Sequence, residues 1–84
     1  MSTHLHVGNI PSATAENELR STFSRFGQVD AVEIAMNPDT GRSKGFAIVS
    51  MRHEAEAEYA IRSLNFSQYA GRTIGVSKAR ATRD

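Results

Sequence analysis

Residues 44–51, KGFAIVSM, alternate with a period of two, and in a strand that period sends successive side chains to opposite sides. One side carries Lys44, Phe46, Ile48 and Ser50, the other Gly45, Ala47, Val49 and Met51. Both are partly apolar. One side covers a core, and the apolar groups on the other need a different explanation.

The neighbouring segments supply the frame. Upstream, VDAVEIAM alternates Val32, Ile34 and Met36 against Glu33 and Ala35, and NPDTGRS between the two runs is rich in turn formers, which predicts an antiparallel hairpin. Further upstream, HLHVGN sets Leu5 and Val7 against His4, His6 and Gly8, so it reads as a short half-buried strand. IPSAT breaks it. Thr14 is then expected to cap a helix, AENELRSTFSRF, whose Leu19, Phe23 and Phe26 share a face, with Gly27 closing it in the left-handed conformation. Downstream, EAEAEYAIRSL has helical spacing at Ala57, Ala60, Ile61 and Leu64, and Asn65 can end it. RTIGVSKA reads as a last strand with Ile74 and Val76 on one face.

The order βαββαβ predicts an α+β fold, the ferredoxin-like sandwich of a four-stranded antiparallel sheet with two helices on one face. At 84 residues the chain is expected to be one domain, 1–84, with its core over about 4–80 and a flexible tail at 81–84. The helices need an aliphatic surface, and Leu5, Val7, Val32, Ile34, Val49, Met51, Ile74 and Val76 provide it. The uncovered face then shows His4, His6, Glu33, Ala35, Lys44, Phe46, Ile48, Ser50, Arg52, Thr73, Gly75 and Ser77.

Composition narrows the function classes. There is no Cys, which excludes disulfides and thiolate metal sites, and the start of the chain lacks the basic-then-apolar pattern of an export signal. No apolar run approaches a membrane span, so the expectation is an intracellular monomer with no membrane partner. The formal net charge is only +1, but it is unevenly placed: the expected helices are negative by two and the remainder positive by three. His4 and His6 lie two apart with no carboxylate or Cys nearby in sequence to complete a metal shell. TGRSKG lacks the order of a phosphate-binding loop, and no nucleophile–base set appears, so neither an enzyme nor a cofactor is expected.

Single exposed apolar groups are ordinary on protein surfaces. An exposed Phe beside basic residues on a sheet is also what a stacking platform for nucleobases requires. KGFAIVSM resembles the octapeptide signature of the RNA recognition motif family, K/R-G-F/Y-G/A-F-V-x-F/Y. LHVGNI, residues 5–10, resembles the family's hexapeptide, and LRSTFSRFG, AEYAIRSLN and GRTIGVSKA are similar to it in order and spacing, from about Leu5 to Arg80.

That resemblance implies single-stranded RNA binding, extending to single-stranded DNA, by stacking and phosphate contact without catalysis. It carries stacking roles onto His6, Phe46 and Ile48. Phe46 matches, His6 offers a smaller ring, and Ile48 departs from the pattern by having no aromatic face. Lys44 and nearby Arg42 are the expected phosphate contacts, Asn9 a reader of base edges, and Lys78, Arg80 and Arg83 further contacts after the last strand. Met51, in place of an aromatic, lies on the core side. The competing reading is a protein-interaction module within a ribonucleoprotein, using the helical side with Tyr59 or Tyr69. A small ferredoxin-like enzyme shares only the topology.

Overall fold

The computed structural model describes residues 2–79, so the expected tail at 81–84, with Arg83, and the candidate Arg80 lie outside the described residues. The chain runs β1 (Thr3–Gly8), α1 (Glu16–Ser24), β2 (Val29–Met36), β3 (Ser43–Met51), α2 (Glu54–Leu64), β4 (Gln68–Tyr69), β5 (Arg72–Thr73) and β6 (Gly75–Lys78). Four strands form one sheet in the order β2-β3-β1-β6, antiparallel throughout, with β3 and β1 central. This is the expected ferredoxin-like α+β arrangement.

The core is the expected one with additions. Leu5, Val7, Val49 and Met51 of the central strands are fully buried, with Val32, Ile74 and Val76 nearly so, and Ile34 only partly buried. Leu19 and Phe23 of α1 and Ala57 and Ala60 of α2 close over them. The two alanines allow the axis of α2 to approach the sheet closely, while Ile61 and Leu64 pack at the margin. Removing side chains of this size from water contributes about 1.5–3 kcal/mol each for the larger ones.

Both ends of α1 differ from expectation. The cap is Ala15, one residue after Thr14, and since Ala has no side-chain acceptor, Glu18 reaches back to accept the Ala15 N–H at 2.7 Å. Gly27 is not left-handed; positive φ among the described glycines occurs at Gly41, Gly45 and Gly71. Gly27 serves instead as a gap. A Cβ there would collide with the Glu56 side chain, whose carboxylate accepts the Gln28 N–H at 3.0 Å.

The last strand is split. Residues 68–69 and 72–73 make a small hairpin of their own, and β6 starts only at Gly75. Ile74 remains buried between the two pieces, donating its N–H to Ser67 at 3.0 Å and accepting from Phe66 at 2.8 Å. Tyr69 packs against the core edge and is not an open side chain.

Lys78 ties β6 to α2, its ammonium 2.7 Å from Glu54 and 3.1 Å from Glu58. The hydrogen bond from Lys78 holds the Glu54 carboxyl below the usual carboxylate range, and the bonds to Glu54 and then Glu58 push Lys78 up. A depressed carboxyl contributes stability above its unfolded pKa and loses it as pH falls through the folded one; a raised amine loses its share only as pH rises past its folded value. The tie therefore holds at neutrality and fails in acid, and its exposure keeps it weak. Urea denaturation should show Lys78→Met slightly less stable than wild type near pH 7, with the gap closing at about pH 3 as the carboxylates protonate.

Candidate nucleic-acid interface

The uncovered side of the sheet is organised in rows across the strands. Glu33 on β2 opposes Ile48 on β3, Ile48 opposes His6 on β1, and His6 opposes Ser77 on β6. In the next row Phe46 opposes Gly8, which opposes Gly75. The His6 ring leans over Gly8, where a Cβ would meet it at 3.3 Å, and the Phe46 ring lies against it, ring centroids 5.0 Å apart and planes tilted by 21°. This is an offset stack, the favoured geometry for two flat rings. His6, Phe46 and Ile48 are all half-buried, so each retains accessible surface.

Sequence alternation alone does not explain how Phe46 is presented. The register between β2 and β3 slips between Ile34 and Met36, the latter pairing with Ser43, so residues 44–46 bulge out of the ladder. Gly45 sits at φ 90°, a conformation that penalises side chains, and its carbonyl accepts the Ile10 N–H at 3.0 Å while its own N–H goes to the Ser43 hydroxyl at 3.0 Å. The Gly between Lys44 and Phe46 is thus a backbone requirement. A Gly within a strand pattern is the signal that could have located the bulge.

The cations sort unequally. Arg42 and Lys44 are exposed and make no ion pair among the described residues. Arg52, expected on the open face, is paired with Asp30 at 3.0 Å at the other bulge of β2, where Ser2 also donates to Asp30 and holds its carboxyl below the usual range. Lys78 is the clearest departure among the candidates. It lies two residues after buried Val76, hence on the helical side of the sheet, and α2 engages it there. Alternation from Val76 already carried that placement.

Asn9 closes the end of β1 with φ 63°. Its amide donates to the Thr73 carbonyl at 2.8 Å and accepts from Arg72 at 3.0 Å, so it anchors β5 before it reads anything. Ser50, expected to be open, is buried with its hydroxyl 2.7 Å from His4 Nδ1. The face therefore keeps His4, the ring pair, Ile48, Glu33, Ala35 and Ser77, with Arg42 and Lys44 exposed nearby.

Comparison with known proteins bears on this face. The sequence pattern of a family described as the RNA recognition motif matches residues 5–75. The protein RbpD of Nostoc sp. (strain PCC 7120) is 34% identical over 80 residues, 95% of this chain and 85% of that one. Glycine-rich RNA-binding protein 10 of Brassica napus is 40% identical over 75 residues, 89% of this chain and 44% of the relative. Among solved structures, RNA Binding Protein PG1 superposes with a TM-score of 0.93 at 30% identity, covering 99% of this chain and 100% of that one. The Sxl-lethal protein/RNA complex gives a TM-score of 0.91 at 28% identity over 100% of this chain and 50% of the other.

Proposed function

The chain belongs to the RNA recognition motif family, and from that premise we propose that its open sheet face binds single-stranded RNA a few nucleotides at a time. Bases stack on His6, Phe46 and Ile48, and Arg42 and Lys44 neutralise phosphates. The unit is a single domain over about residues 4–80, acting as a monomer; Arg80 is retained as a contact on sequence grounds. Nothing in these contacts requires a 2′-hydroxyl, so single-stranded DNA is an alternative ligand.

The observation that carries this reading is the Phe46–His6 stack on the sheet face that neither helix covers among the described residues. Holding the two rings in place before a strand arrives lowers the ordering cost of binding. Ile48 adds apolar contact for a base or sugar but no π-face, which implies modest affinity. A relative and a solved structure whose names include RNA binding, and a neighbour solved as a protein/RNA complex, support the same ligand. Tyr59 of α2, 58% exposed, favours a second reading in which the helical side docks a protein partner within a ribonucleoprotein.

Titration with short labelled single strands tests the choice. Phe46→Ala should weaken binding by about 1–3 kcal/mol, the range for one lost base–aromatic stack, with the urea midpoint little changed. Ile48→Phe should strengthen it by about 1 kcal/mol by supplying the missing ring. If neither substitution moves the affinity, the protein-docking reading takes its place.

Salt dependence tests the cations separately. Each phosphate neutralised on a single strand adds about −0.7 to the slope of log K against log salt. Lys44→Gln should make the measured slope shallower, whereas Lys78→Gln should leave it unchanged because that ammonium belongs to α2.

A further inference from the structure

A surface that meets a polyanion has an electrostatic reason to exclude carboxylates, yet Glu33 stands on it. It is exposed, directly opposite Ile48, and makes no ion pair or side-chain hydrogen bond among the described residues. With Ile34, Ala35, Met36 and Ile48 it lines a shallow depression along the β2 edge, in which it is the sole ionisable group. Met36, half-exposed, supplies a soft apolar flank. Neighbouring strands lie about 4.8 Å apart, so a base resting on Ile48 extends its edge over β2 within reach of this carboxylate.

We propose that the Glu33–Ile48 depression is a base-selective subsite for guanine in single-stranded RNA. This rests on the reading that the open face holds RNA. An ionised carboxylate offers two acceptor oxygens and no donor. The Watson–Crick edge of guanine places the N1–H and the N2 amino group side by side, two donors for two acceptors. Uracil offers a single N3–H between two carbonyl oxygens that repel a carboxylate, and adenine and cytosine each set one amino group beside a ring-nitrogen lone pair. Guanine is the base whose edge fits both oxygens, and such an edge is free only in a single strand. The repulsion between Glu33 and the backbone is thereby offset for one base and left standing for the others, which is how a carboxylate confers selectivity.

The test compares short uridine strands carrying one central guanosine, one inosine or neither, against wild type and Glu33→Gln. Inosine keeps N1–H and lacks the N2 amino group. Wild type should bind the guanosine strand about tenfold more tightly than the other two, near the low end expected for a bidentate contact to a base. Glu33→Gln, which keeps the side chain's shape, should lose most of that preference while still binding the all-uridine strand, because a carboxamide has one acceptor and brings donors of its own. Equal binding of guanosine and inosine strands by wild type overturns the guanine assignment and leaves RNA binding standing. A preference undiminished in Glu33→Gln overturns it as well, as does a uniform gain on all strands, which would make Glu33 only a repulsive charge. Failure of wild type to bind any strand overturns the RNA-binding reading, and this subsite with it.

Discussion

Burial of one side of the two central strands beneath two helices is the constraint on which the rest of the molecule depends. Leu5 and Val7 of β1 and Val49 and Met51 of β3 have no exposure at all, and Leu19, Phe23, Ala57 and Ala60 seal them. Because strand side chains alternate, a slip of one residue in either strand would turn these groups to solvent and bring His6, Phe46 and Ile48 inward. At about 1.5–3 kcal/mol for each large side chain, that slip is prohibitive. The open face is therefore positioned by the interior behind it.

Two devices finish that face. Gly8 leaves room for the His6 ring, which meets Phe46, and the bulge at Gly45 releases Lys44 from the ladder just ahead of it. Both rely on the absence of side chains. Asn9 and Arg72 brace the adjacent edge by tying the end of β1 to the β4–β5 hairpin.

Charge is distributed by the same architecture. Ten basic residues give the chain a net charge of only +1, and several of those bases serve the fold. Lys78 secures α2, Arg52 neutralises Asp30, and Arg72 supports Asn9. Among the described residues, Arg42 and Lys44 are exposed cations close together in sequence that no carboxylate engages. On the proposed RNA-binding reading, such a face leans on stacking and edge contacts, and a carboxylate on it shapes choice among bases more than overall affinity.

Much of this was legible from residue order. The period of two in KGFAIVSM and LHVGN, the helical spacing of Leu19 and Phe23, and the βαββαβ sequence determined the sheet, its covered side and its uncovered side, because strand and helix periodicities are local properties of the chain, whereas Phe26, expected on the same helix face, lies in the turn after Ser24. The placement of Lys78 was legible too, through alternation from Val76. Only the tertiary structure decided what depends on partners distant in sequence: that Gly27 makes room for Glu56, that Ser50 is buried against His4, that Asn9 is engaged by residues 72 and 73, and that the rings of His6 and Phe46 meet. Those contacts join residues 29 to 64 positions apart or, for the rings, depend on the register of two strands, and local pattern carries no information about either.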